Sequence, residues 1–143
     1  EENGFVIGKA ITLREAGEVV FVTTGIMTQR ALAAAEVLEK QGIQAGVLHM
    51  HTVKPLDKQA LFQATAGVEL IVTAEEHALA GGLGSLVLET LNDAGHTGGP
   101  KVVRLGLPDA FASQYGSQDS LLQSWHLDSD ALVGHVCDAL PTS

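Results

Sequence analysis

The sequence predicts an α/β protein with a mostly parallel sheet and helices on both of its faces, on three observations. Apolar strand-like runs alternate with helix-like segments at least three times through short links, which calls for crossover connections. The run Glu18-Val19-Val20-Phe21-Val22-Thr23-Thr24 is nearly continuous in β-branched and aromatic residues, the pattern of a strand buried on both faces. Glycines or helix-capping residues punctuate the ends of these runs, as at Gly25, Gly42, Asp57, Gly95 and Asp128.

Taken in order, Phe5 to Ile7 reads as a short edge strand and Lys9 to Gly17 as a polar connector. After the first core strand, Thr28 offers an N-cap hydroxyl to a helix from Gln29 to Gln41. Its apolar positions Ala31, Ala34, Ala35 and Leu38 keep helical spacing, and Glu36 stands four residues before Lys40. Gln44 to Met50 is the second core strand. Asp57 caps a helix from Lys58 to about Thr65, with Leu56 placed to staple onto Leu61. Glu69 to Ala74 is the third core strand. From Leu83 a helix places Leu86, Val87, Thr90, Leu91 and Ala94 on one face, and Gly95 to Pro100 is a surface loop by composition. Lys101 to Gly106 is the fourth core strand. An irregular segment runs from Pro108 through Gln118, and a short helical turn is expected to hold Leu121, Leu122 and Trp125. Asp128 caps a last helix with Leu132, Val133, Val136 and Leu140 on its face, and Pro141 stops it.

At 143 residues the chain fits one domain, spanning 1–143, with an apolar fraction of 45% that excludes a disordered chain. Only 17% of residues are charged, which points to a surface partly covered by a partner. The formal charge of −9, without a basic run, repels a phosphate backbone and argues against nucleic acid. Cys137 stands alone, so neither an internal disulfide nor a thiolate metal cluster is expected. No apolar run approaches the roughly 18 residues of a membrane span, and Glu1-Glu2-Asn3-Gly4 does not open a signal peptide. The default is a cytoplasmic protein. Phe5-Val6-Ile7-Gly8-Lys9-Ala10 reads as a chain already under way, so residues 1–17 are expected to lead in from a preceding domain.

Chemistry-bearing residues concentrate where Ile71-Val72-Thr73-Ala74 runs into Glu75-Glu76-His77 and then Gly81-Gly82-Leu83-Gly84-Ser85. Polar groups just past the carboxyl end of a strand face a crevice in such folds, and a helix that opens there can accept an anion. The glycines lack the G-x-G-x-x-G order and any following Lys-Ser/Thr pair, so close packing on the sheet or on a partner chain is the better reading. Glu75 and Glu76 are adjacent and point apart, which argues against a carboxylate acid/base pair, and no Ser or Cys nucleophile assembles around His77. His49 and His51 share one side of a strand, but a third zinc ligand cannot be named, so hydrogen-bonded structural histidines are favoured. Trp125 fits either an interface anchor or core packing. The residues by themselves give a fold without a reaction.

One ordered set of motifs carries a resemblance: Phe5-Val6-Ile7-Gly8-Lys9-Ala10, Thr23-Thr24-Gly25, Met50-His51-Thr52-Val53-Lys54-Pro55-Leu56-Asp57, Val72-Thr73-Ala74-Glu75-Glu76-His77, Gly81-Gly82-Leu83-Gly84-Ser85 and Gly106-Leu107-Pro108-Asp109. Over nearly the whole chain it resembles the C-terminal domain of transketolases, closest in pattern to the small subunit of split transketolases. The resemblance implies a three-layer α/β/α domain with a five-stranded sheet, mostly parallel with one antiparallel strand. It implies a parent enzyme that uses thiamine diphosphate and a divalent ion, magnesium, to move a two-carbon ketol unit between sugars. Those cofactor sites belong to other domains of the family, so no catalytic, cofactor-binding or metal residue is expected in this chain.

The expected role is assembly, through the preceding thiamine-binding domains or subunit and a homodimer of the parent, with regulation as a further possibility in the family. Glu76, His77, Gly81, Gly82 and Gly84 are the expected contact residues. Two relatives share the domain: 1-deoxyxylulose-5-phosphate synthase, and the β subunit of 2-oxo acid dehydrogenases, whose C-terminal domain docks an acyltransferase core. A free-standing nucleotide- or flavin-binding domain is a third reading, disfavoured by the glycine pattern.

Overall fold

The computed structural model describes residues 9–25, 27–50, 56–75, 82–95, 99–106 and 128–140. Their elements are β1 (Ile11–Arg14), β2 (Val19–Thr23), α1 (Met27–Lys40), β3 (Ala45–His49), α2 (Lys58–Thr65), β4 (Leu70–Glu75), α3 (Leu83–Asp93), β5 (Lys101–Gly106) and α4 (Ser129–Ala139). The five strands form one sheet in the order β1-β3-β2-β4-β5, parallel throughout except for β1 against β3. This is the expected three-layer arrangement with one antiparallel strand.

The alternation of side chains along the central strands divides the core in two. Val19, Phe21, Val47, Leu70, Val72 and Ala74 face α1 and α4, where Ala31, Ala34, Ala35, Leu38, Leu132 and Val136 complete a dry layer. Val20, Val22, Leu48, Met50 and Ile71 face the opposite way, against Leu61 of α2 and Leu83, Val87 and Leu91 of α3. The run of alanines lets α1 lie close to the sheet and leaves room for α4 beside it. Helix α2 is only eight residues long, too short to persist alone, and buries just Leu61 and Thr65. Leu61→Ala would therefore remove its main anchor, at a cost of about 2–5 kcal/mol.

Three features differ from the sequence expectation. The segment read as a polar connector contains β1, an edge strand whose Thr12 and Leu13 are exposed while Ile11 and Arg14 are half-buried. An irregularity between Thr12 and Arg14 leaves Leu13 43% exposed, and Arg14 closes on Glu39 of α1 at 2.6 Å. Helix α1 starts at Met27, so Thr28 lies in its first turn and is not its cap. On α3 the buried line is Leu83, Gly84, Val87 and Leu91, whereas Leu86 and Thr90 are half-buried and Ala94 is exposed. The expected strand at Phe5–Ile7 and the segment with Pro108, Leu121, Leu122 and Trp125 lie outside the described residues, as does Pro141.

The caps expected at Asp57 and Asp128 hold. Asp57 accepts from Ala60 N at 3.1 Å to start α2, and Asp128 accepts from Ala131 N at 2.9 Å to start α4. Leu56 packs in the same apolar cluster as Leu61.

Candidate functional site

The strand order places a topological switch beside β2. The chain steps from β2 to β3 on one side, then crosses back to β4 on the other, so a crevice is expected at the carboxyl ends of β2 and β4. In register, Thr23 of β2 stands beside His49 of β3 and Ala74 of β4. These positions point toward α1, and Glu75, one residue on, points toward α3.

On the α1 side the polar groups form a chain of hydrogen bonds. Thr23 Oγ1 lies 2.8 Å from Thr28 Oγ1, which lies 2.7 Å from His49 Nδ1. Thr23 and Thr28 are buried, so each hydroxyl needs an internal partner, and the half-buried imidazole provides one. His49 is thus the hydrogen-bonded histidine favoured above. His51, proposed to share its side of the strand, lies outside the described residues, and among the described residues no group of three His, Cys, Asp or Glu is placed to hold a metal ion.

On the α3 side, Glu75 is 2% exposed and its carboxylate accepts from Leu83 N at 2.8 Å and from Gly84 N at 3.0 Å. The first turn of a helix leaves such N–H groups without intrahelical partners and carries a positive partial charge. Here the chain supplies its own anion. Alternation explains how: Ile71, Thr73 and Glu75 face one way on β4, into the layer that α3 covers. The amides of Leu83 and Gly84 are therefore already taken by a buried carboxylate.

Gly84 is packed within the chain. A Cβ there would come within 2.8 Å of Thr73 Oγ1 and 2.9 Å of Arg104 Cγ and Cδ, so the missing side chain lets α3 sit directly on β4 and β5. Arg104 continues past it, and its Nη1 donates to Ser85 Oγ at 3.3 Å. Gly82 is half-buried at the N-cap, and its carbonyl accepts from Leu86 N at 3.1 Å. Glu76, His77 and Gly81 lie outside the described residues. Of the five expected contact residues, the structure therefore describes two. Sequence reading missed the roles of Thr23, Thr28 and Glu75. The period of two along β4, followed by glycines opening a helix, carried the signal for Glu75.

The antiparallel β1 adds a last element to this end of the sheet. Ile11 pairs with His49, so the chain comes into β1 at the carboxyl ends of the parallel strands. Just before it, Ala10 N donates to Asp57 Oδ2 at 2.8 Å. The incoming segment, the start of α2 and the β4–α3 turn thus share one end of the domain. The described polar groups there are largely engaged with one another.

Comparison with known proteins agrees with this architecture. The family model described as "Transketolase, C-terminal domain" matches residues 8–132. A 1-deoxy-D-xylulose-5-phosphate synthase of Geobacter sulfurreducens is 44% identical over 127 residues, covering 89% of this chain and 20% of that protein. The 6-deoxy-6-sulfo-D-fructose transketolase subunit SqwH of a Clostridium species is 41% identical over 133 residues, covering 93% of this chain and 40% of that protein. Among solved structures, a split-gene transketolase described as an inactive β4 tetramer superposes with a TM-score of 0.83 at 38% identity, covering 95% of this chain and 43% of that one. This chain therefore spans less than half the length of each of these relatives. By sequence and by fold, it belongs to the transketolase C-terminal domain family.

Proposed function

We propose that this chain is the non-catalytic C-terminal domain of a thiamine-diphosphate-dependent transketolase-type enzyme, one that moves a two-carbon ketol unit between sugars. Its contribution is to hold the neighbouring thiamine-binding domains or subunit, within a homodimer of the parent. The observation that carries this reading is the convergence at the carboxyl end of the sheet. The lead-in before Ala10, the start of α2 and the turn after Glu75 all emerge on that side. A neighbour that precedes residue 10 would meet this end of the sheet, and the contact residues proposed for it are Glu76, His77, Gly81, Gly82 and Gly84. The greater length of the relatives supports a missing portion that carries the cofactor and magnesium.

A cytoplasmic location follows from that metabolic role. Among the described residues no helix is long and apolar enough to cross a membrane. Neither nucleic acid nor a membrane is proposed as a partner.

Titration calorimetry of this chain with thiamine diphosphate and magnesium tests the division of labour. No heat of binding is expected; saturable micromolar binding would overturn it.

A second reading is favoured by the 44% identity to a 1-deoxy-D-xylulose-5-phosphate synthase. In that case the same domain would serve an enzyme with a different acceptor and product. Reconstitution with the parent's cofactor-bearing portion separates the two: ketol transfer between sugars supports the first, and 1-deoxyxylulose-5-phosphate formation supports the second. Capture of an acyltransferase core by this chain would instead assign it to an oxo acid dehydrogenase.

A further inference from the structure

We propose that Asp57 is a two-way latch that fixes the direction from which the chain comes into the domain. One carboxylate oxygen, Oδ1, accepts from Ala60 N at 3.1 Å and starts α2. The other, Oδ2, accepts from Ala10 N at 2.8 Å, across 47 residues of sequence. Capping needs only one oxygen, and a serine, threonine or asparagine would serve it as well. A carboxylate has acceptor capacity left over, and here the second oxygen spends it on the residue just ahead of β1.

The surroundings make the bond consequential. Asp57 is 9% exposed, so water competes little for either oxygen. Ala10, Leu56 and Ala60 all pack on the apolar layer beneath α2, so the latch closes over a dry margin. β1 is a four-residue edge strand paired on one side among the described residues, and such a strand frays easily. Ala10 is its first point of attachment outside the ladder. Resting on the multidomain reading above, the same bond sets the angle at which a preceding domain meets the carboxyl end of the sheet.

The test is amide hydrogen exchange on the chain carrying Asp57→Ser, with Asp57→Ala as reference. The serine hydroxyl can cap α2 but is too short to serve Ala10 as well. The expected result is exchange at Ala10 faster by about tenfold, with protection at Ala60 and Leu61 kept. In Asp57→Ala both sites should lose protection. Ala10 exchanging at the wild-type rate in Asp57→Ser would overturn the latch, as would loss of β1 protection only together with α2. A separate arm introduces Asp57→Ser into the longer parent protein and measures its assembly. Unchanged assembly alongside a freed Ala10 would leave the latch standing and count against the multidomain role.

Discussion

The Glu75 carboxylate holds the amide of Leu83 at 2.8 Å, closing the turn between β4 and α3 across eight residues. The bond to Gly84 N makes the closure bidentate. An ionised acceptor on helix amides in a dry site is among the stronger hydrogen bonds a protein makes. Glu75→Ala would strand two amides in the first turn of α3, and a loss of about 2–4 kcal/mol is expected in urea unfolding. Glu75→Gln keeps one acceptor and should cost about half of that. Equal stability of Glu75→Ala and wild type would refute the capping role.

Gly84 and Thr73 should be energetically coupled. Thr73 Oγ1 is buried with no hydrogen-bond partner among the described residues and lies where a Cβ on residue 84 would go. Gly84→Ala is expected to cost about 1–3 kcal/mol through overpacking, and less in a Thr73→Ala background. Thr73→Val alone should stabilise by about 0.5–1 kcal/mol, since it removes an unpaired buried hydroxyl at nearly constant shape. Strictly additive costs in the double-mutant cycle would show that the two do not touch. The same geometry means that a Gly82/Gly84 double substitution is a poor probe of assembly, because the change at Gly84 disturbs the fold first.

How far such relationships were legible in the sequence depended on which link carried them. β5 and α2 fall at their expected limits, because Gly106 and the Asp57 cap are local signals that tertiary packing did not override. The Ala31, Ala34, Ala35 and Leu38 face of α1 is also as read, since an alanine stripe leaves only one side narrow enough to meet a sheet. β1 was hidden because Ile-Thr-Leu-Arg lies at an edge, where one flank is exposed and the apolar signal is diluted. The α3 face was misplaced for a different reason. Gly84, which has no side chain to read as apolar, is buried against Thr73 and Arg104 of the sheet, and the buried line runs through it from Leu83. Glu75 looked like a crevice carboxylate because a single sequence does not show that the helix following it folds back onto its own oxygens.

Thr28 links Thr23 and His49, so Thr28→Val should break both contacts while keeping the shape of the side chain. A destabilisation of about 1–3 kcal/mol is expected, because the buried Thr23 hydroxyl loses its partner. The His49 Nδ1 resonance in nitrogen NMR should move as well. An unmoved resonance would show that the imidazole is held by other means.

Gly134 and Gly42 make opposite predictions from the same substitution. Gly134 lies inside α4 without a left-handed φ, and a Cβ there would meet nothing within 4 Å. Alanine should therefore stabilise the chain by about 0.5–1 kcal/mol, through the entropy that glycine loses on becoming helical. Gly42 also has open space around it, but its φ is +86°, where it turns the chain out of α1. Its amide closes the helix end on the carbonyl of Glu39 at 3.0 Å. A Cβ in that conformation crowds its own backbone, so Gly42→Ala is expected to destabilise by about 1–2 kcal/mol despite the empty surroundings. Thermal melts of the two variants should move in opposite directions. A common direction would mean that conformation does not govern both sites.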